Sequence, residues 1–300
     1  MPPEAARDDA GGHPVLVRMR GIRPELRPSE QRIADLFLAN PAEAAGLSIA
    51  ELAQRCDTST TSVVRFCKRL GYDHVRELRN HVLRDVERET FDTASLPPVS
   101  GDIDRNDTLA DIVAKVSLAE TLSLADTAKV LDTTALGAAV DAVNAATRVD
   151  IFGVGASSIA GLDLQRKLTR IGRTALEWSD PHAAWTSAAT LGPGNVAIAV
   201  SHSGATTDTI DFLLLARHAG ATTIAITNHS GAPLAGQADI VLTTAARETG
   251  FRSGALGSRI AQLMVVDCLF IGVAQSNYDR SMEAIRDTYA AVHRARGGGA

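Results

Sequence analysis

Residues 149–158 read VDIFGVGASS and residues 196–206 read VAIAVSHSGAT, and these two stretches decide the fold. Each is a largely apolar run that ends in glycine and hydroxyl residues and then passes into a helical pattern. An apolar run without strict alternation suits a strand buried on both faces, as in a parallel sheet covered by helices. Further apolar runs follow at 175–178, 223–227 and 240–243. Helical patterns at 158–171, 182–191 and 207–219 separate them, and a last long helix falls near 259–274. Strands alternating with helices across 148–276 predict an α/β three-layer sandwich of the flavodoxin-like kind, on a parallel five-stranded sheet.

The ends of the two quoted runs carry the chemistry. Ligands of open parallel sheets collect beyond the carboxyl ends of the strands, where the strand order reverses. Gly155 and Gly204 let the backbone come close to an anion, and a helix N-terminus aims free amides and a positive dipole at it. Ser157, Ser158, Ser201, Ser203 and Thr206 add neutral donors, and His202 lies among them. The set suits a phosphate monoester with neighbouring sugar hydroxyls. Three other readings stay open. Gly153-Val-Gly155 begins a dinucleotide fingerprint with Glu177 ending the next strand, but Ser158 replaces the third glycine and the second turn goes unexplained. Ser201-His202-Ser203 has the residue types of a serine hydrolase, yet Ala199 stands where a nucleophile elbow needs glycine. Both turns are also compatible with plain capped strand-to-helix junctions.

Upstream, residues 21–91 read as short helices. Ser29 is expected to cap one with Ile33, Leu36 and Phe37 on a single stripe, ended by Asn40-Pro41. Ser48-Ile-Ala-Glu51 has the form of a capping box. After the break at 56–58, Ser59 heads a second helix that runs to Leu70, with Gly71 placed to terminate it. Val63, Phe66, Cys67 and Leu70 make its apolar stripe, and Thr61, Ser62, Arg65, Lys68 and Arg69 are placed opposite. Two short capped helices around a tight turn fit a helix-turn-helix, whose second helix enters the major groove N-terminus first. Thr60, Thr61, Ser62 and Arg65 are then the candidate readers of base edges, and Lys68, Arg69 and Arg76 the candidate phosphate contacts. Residues 61–84 hold six cations, Arg79 and Arg84 completing the set, against Asp73 and Glu77 in a chain of net charge −5. That local excess is what a phosphate-facing surface needs, although a helical hairpin with a solvated basic face has the same pattern.

Three hundred residues imply two domains, and 45% hydrophobic content is ample for two cores. Residues 1–20 are expected to be a disordered tail, 92–107 a linker and 108–147 connecting helices with Leu109, Ile112, Val113 and Val116 on one stripe. Residues 277–300 are expected to form a C-terminal helix and Gly-rich tail. Without a leader-like apolar segment or an unbroken run of 18 apolar residues, a cytoplasmic chain with no membrane partner is expected. Cys56, Cys67 and Cys268 lack metal-ligand spacing and read as buried free thiols. No metal or cofactor is expected.

Three N-terminal segments, LRPSEQRIAD (26–35), LSIAELA (47–53) and SVVRFCKRLG (62–71), resemble the DNA-binding domain of RpiR/MurR-type bacterial regulators. Residues 149–275 are similar to the sugar isomerase (SIS) domain of the same proteins, through DLQRKL (163–168), SHSGAT (201–206) and SRIAQL (258–263). The resemblance covers most of the chain. It implies a transcription regulator that binds double-stranded operator DNA as a homodimer or homotetramer and controls a sugar or amino-sugar catabolic operon. It also implies a phosphosugar effector, with its phosphate held by Ser201, Ser203 and Thr206 and its sugar side met by Ser157. Glu248, Arg252 and Ser253 are implied as additional or cross-subunit contacts, and Asp180 with His182 as a recurrent Asp-x-His pair. SIS domains also occur in sugar-phosphate isomerases, where Glu248, His202 or His229 would serve as the base. A helix-turn-helix would be idle in such an enzyme.

Overall fold

The capping box read at Ser48 forms: Ser48 Oγ accepts from the Glu51 amide at 3.2 Å, and the Glu51 carboxylate accepts from the Ser48 amide at 2.7 Å. It starts α4 (Ile49–Arg55), the fourth helix in a computed structural model that describes residues 14–92, 103–247 and 255–297. Before it come α1 (Val15–Ile22), α2 (Pro28–Ala39) and α3 (Pro41–Gly46), and after it α5 (Thr60–Arg69) and α6 (Val75–Asp92). These belong to the first of two units, Met1–Thr121 and Leu122–Ala300.

The first unit packs around Phe37, Leu52, Val63, Phe66, Leu70 and Leu78, all buried. Two expectations are corrected here. The tail assigned to residues 1–20 contains α1, because Val15, Leu16 and Met19 complete this core and Asp85 accepts from the Leu16 amide at 3.0 Å. Ser29 is not the cap of α2. Pro28, with its φ already helical, occupies the first position, and Glu30 reaches back to accept from the Arg27 amide at 3.1 Å.

The second unit begins within α7 (Leu109–Val130) and continues with α8 (Thr133–Ala145), β1 (Arg148–Gly153), α9 (Ala156–Arg170), β2 (Ala175–Trp178) and α10 (Pro181–Ala188). There follow β3 (Asn195–Val200), α11 (Thr207–His218), β4 (Thr222–Thr227), β5 (Ile240–Thr243), α12 (Leu256–Ser276) and α13 (Tyr278–Gly297). The five strands are all parallel, in the order β2-β1-β3-β4-β5. This is the flavodoxin-like order, and the chain reverses direction across the sheet between β1 and β3.

Strand periodicity sorts the two faces. Val149 and Ile151, Val196 and Ile198, and Ile224 and Ile226 point to the side covered by α8, α9 and α12. Phe152, Ala197, Ala199 and Ala225 point to the side of α10 and α11. Branched side chains fill one layer and small ones let the helices approach on the other. Residues 108–147 are therefore more than connectors, since Ala139, Val140 and Val143 of α8 lie in the sandwich core. The expected apolar stripe of α7 is not a buried one, with Leu109 81% and Val113 69% exposed. Helix α12 is long and apolar enough to cross a membrane by composition, but Val265, Leu269 and Val273 pack it against the sheet.

Candidate functional site

Ser59 Oγ accepts from the Ser62 amide at 3.2 Å and so starts α5 as the sequence predicts, while Gly71 ends it at φ +81°. Arg32 fixes the preceding turn by donating to the carbonyls of Cys56 at 2.7 Å and Asp57 at 2.6 Å. Thr60, Thr61, Arg65, Lys68 and Arg69 line the exposed side of α5. Ser62 does not. It shares the 62–66–70 spacing of the core stripe, is 4% exposed, and bonds Ser59 Oγ at 3.1 Å. Arg69 also donates to the Glu25 carbonyl at 3.0 Å, which anchors it beside the helix. Arg79, counted above among the cations, donates to the carbonyls of Ala45 and Leu47 and holds α6 to the chain ahead of α4. Val64 was missed by sequence reasoning. It lies one turn from Thr60 and Lys68 with 37% exposure, an apolar group suited to a thymine methyl.

In the second unit the carboxyl ends of β1 and β3 open into a pocket of about 130 Å³. Ser157, Ser201, His202, Ser203, Thr206 and Ser258 line it, with Val154, Ala156, Val200 and Ala255 between them. Three helix N-termini meet there: the first turn of α9, Thr206 ahead of α11, and Ala255 and Ser258 at the start of α12. Each brings the positive end of its helix dipole. The described lining has no carboxylate, lysine or arginine.

The turn after β3 is held by its own backbone. Ser201 Oγ accepts from the Gly204 amide at 3.2 Å and lies 3.2 Å from Thr206 Oγ1, and Ser203 Oγ accepts from the Ala205 amide at 3.2 Å. The Gly204 carbonyl accepts from the Leu234 amide at 2.9 Å, and the His202 carbonyl from Asn228 at 3.1 Å. The His202 ring meets that of His229 edge-on at 5.8 Å. Gly155 turns the chain at φ +62° ahead of α9, and Ser158 Oγ donates back to its carbonyl at 2.7 Å. Gly155, Ser158 and Gly204 thus shape the turns, while Ser157, Ser201, His202, Ser203 and Thr206 face the pocket. Asp180 caps α10 by accepting from the Ala183 amide at 2.9 Å. Glu177 is no part of the pocket lining, and burial pushes its carboxyl up from the ordinary range. Glu248, Arg252 and Ser253 lie outside the described residues.

Sequence reasoning did not single out Ser258 and Gln262 as site residues. They lie four residues apart and are the polar members of the otherwise apolar buried face of α12, and that spacing was the available signal. Gln262 Nε2 donates to Ser157 Oγ at 3.0 Å.

A helix-turn-helix with an exposed cationic second helix, carried on the same chain as an α/β domain, defines a transcription regulator of two domains. Comparison with known proteins agrees. The helix-turn-helix domain of the rpiR family matches residues 15–89, and the SIS domain matches residues 143–272. The HTH-type transcriptional regulator TTE0211 of Caldanaerobacter subterraneus subsp. tengcongensis is 36% identical over 274 residues, covering 91% of this chain and 95% of that one. YbbH, an HTH-type transcriptional regulator of Bacillus subtilis, is 31% identical over 282 residues, covering 94% and 98%. The chain belongs to the RpiR family of helix-turn-helix transcriptional regulators. Among solved structures, the Vibrio vulnificus NanR protein complexed with ManNAc-6P matches with TM-score 0.59 and 29% identity over 94% of this chain and 98% of that one. The sugar isomerase domain of an RpiR transcription factor from Sphaerobacter thermophilus matches with TM-score 0.55 and 27% identity, over 60% of this chain and 98% of that one. With regulators as its full-length relatives, the chain is a regulator and not an isomerase.

Proposed function

We propose that this chain acts in the cytoplasm as a homodimer or homotetramer whose α5 helices read a double-stranded operator, under the control of a phosphorylated sugar bound above β1 and β3. The operon it governs serves sugar or amino-sugar catabolism. One observation carries the ligand class: three helix N-termini and a ring of hydroxyls converge on a pocket with no charged side chain in its described lining. Such a neutral cage holds a phosphate monoester through amides and hydroxyls. The ManNAc-6P of the NanR structure supports an amino-sugar 6-phosphate.

The route from pocket to DNA is read from α7. Its buried Ser123 accepts from the Arg247 amide at 3.0 Å, Asp126 pairs with Arg247 Nε at 2.8 Å, and Thr127 accepts from the Ala245 amide at 3.1 Å. A Cβ at Gly257, in the first turn of α12, would lie 2.8 Å from the Arg247 carbonyl oxygen and 3.0 Å from Ser123 Oγ. Gly257, next to Ser258 of the pocket wall, thus packs tightly against Ser123 of α7, and α7 is one continuous helix from Leu109. Effector binding then alters the spacing of two DNA-binding units, to which symmetric half-sites are sensitive.

Operator affinity measured by fluorescence anisotropy, with and without a panel of hexose 6-phosphates, tests the reading. At least one sugar is expected to change it; unchanged affinity at saturation by every sugar refutes the coupling. In the same assay Arg65→Ala is expected to weaken specific operator binding by about 1–3 kcal/mol. Effector binding by that variant should be intact, and equal loss of both would refute the division of labour between the units.

A further inference from the structure

We propose that Gln262 is a positioning residue for the effector: by donating to Ser157 it commits that hydroxyl to giving its own proton to the ligand. The inference rests on the phosphosugar reading above. Gln262 is 1% exposed, on a helix whose neighbouring inward residues are Ala261, Val265, Val266 and Leu269. An amide in such surroundings is destabilising unless it is paired, so an apolar residue would serve the helix better. Its pairing is specific: Nε2 reaches Ser157 Oγ at 3.0 Å across 105 positions of sequence.

A serine hydroxyl has one proton and two lone pairs. With the Gln262 N–H directed at the oxygen of Ser157, the proton of Ser157 points away from α12. It has no acceptor among the described residues, and Ser157 lines the pocket. Of the other three pocket serines, Ser201 and Ser203 repeat this polarity, whereas Ser258 Oγ donates to the Ala255 carbonyl at 3.3 Å. Ser201 Oγ accepts from the Gly204 amide and Ser203 Oγ from the Ala205 amide, both at 3.2 Å. Backbone amides set those two, whereas Ser157 in the first turn of α9 needs a side chain from another helix. Ser157, Ser201 and Ser203 together form the part of the cage that can present protons, complementary to a group that only accepts. A phosphate dianion is such a group. A sugar hydroxyl, which both donates and accepts, gains less from it.

Calorimetric titration of the full-length chain tests this, using whichever of glucose, glucosamine, N-acetylglucosamine and N-acetylmannosamine 6-phosphates binds the wild type tightest. Gln262→Met keeps the length of the side chain and removes the donor; it is expected to weaken binding about tenfold. In a Ser157→Ala background the same change is expected to cost less than about twofold, because the hydroxyl it orients is gone. Melting temperatures are followed alongside, and Gln262→Leu repeats the cycle should the methionine variant fail to fold. Unchanged affinity in Gln262→Met, or an equal loss in both backgrounds, overturns the role of Gln262 and leaves the phosphosugar reading standing. Absence of binding by the wild type for all four sugars overturns that reading and this inference together.

Discussion

Gly204→Ala is expected to remove effector binding and to destabilise the C-terminal unit by about 2–5 kcal/mol. Two independent costs add. Gly204 sits at φ +62°, a left-handed conformation that charges any L side chain about 1–2 kcal/mol. A methyl group there would also lie 2.5 Å from the Ala232 Cβ and 2.8 Å from Thr227 Oγ1. Neither neighbour is the free end of a flexible chain, so the turn itself must move, and overpacking of this kind costs about 1–3 kcal/mol. The moving turn carries the Gly204 amide off Ser201 and the Gly204 carbonyl off the Leu234 amide. Both tryptophans of the chain, Trp178 and Trp185, lie in this unit, so their fluorescence in urea follows its unfolding. Calorimetry with the sugar phosphates gives the affinity. A variant with wild-type affinity and an unshifted urea midpoint would show that the turn yields freely, against the contacts drawn from it.

The sheet was legible because its residues leave little choice. Runs such as 196–200 are too apolar to face water and too short for a core helix, and Gly-Ser turns follow them where a parallel sheet needs a sharp strand-to-helix change. The serines of both turns were legible for the same reason, being adjacent in sequence to the strands that position them. What the sequence concealed is long-range. Ser258 reaches the pocket, and Gln262 reaches Ser157, only because α12 packs against α9, and nothing within their own segment indicates that partner. Ser62 was misplaced by a related omission: an amphipathic stripe read from its apolar members leaves out the small polar residue on the same spacing. Helix α1 was lost because its apolar residues follow a tail of alanine, glycine and charge, while the Asp85 carboxylate that receives its first turn lies 69 residues away.

Asp150→Ala is expected to destabilise the C-terminal unit by about 3–5 kcal/mol, the usual consequence of removing one member of a buried ion pair. Asp150 is fully buried in the middle of β1 and faces the alanine-rich side of the sheet, where apolar packing is thinnest. Its two oxygens collect four donors from three side chains. Arg148 gives Nε at 2.6 Å and a terminal nitrogen at 2.8 Å, Ser187 of α10 gives its hydroxyl at 2.5 Å, and Trp178 of β2 gives its indole N–H at 2.9 Å. The carboxylate thereby ties β1 to β2 and to α10 at one point. Truncation leaves the buried Ser187 hydroxyl and the half-buried Trp178 N–H without this acceptor, while Arg148 is open enough to turn toward water. Asp150→Asn retains one acceptor in place and is expected to fall between the alanine variant and the wild type. Tryptophan emission reads the result directly, because Trp178 is itself a donor to the lost group. A red shift of the native-state emission should accompany the lower urea midpoint in Asp150→Ala. An alanine variant within about 1 kcal/mol of the wild type would mean that apolar collapse around the cavity offsets the lost bonds, and the network would then be incidental to the sheet.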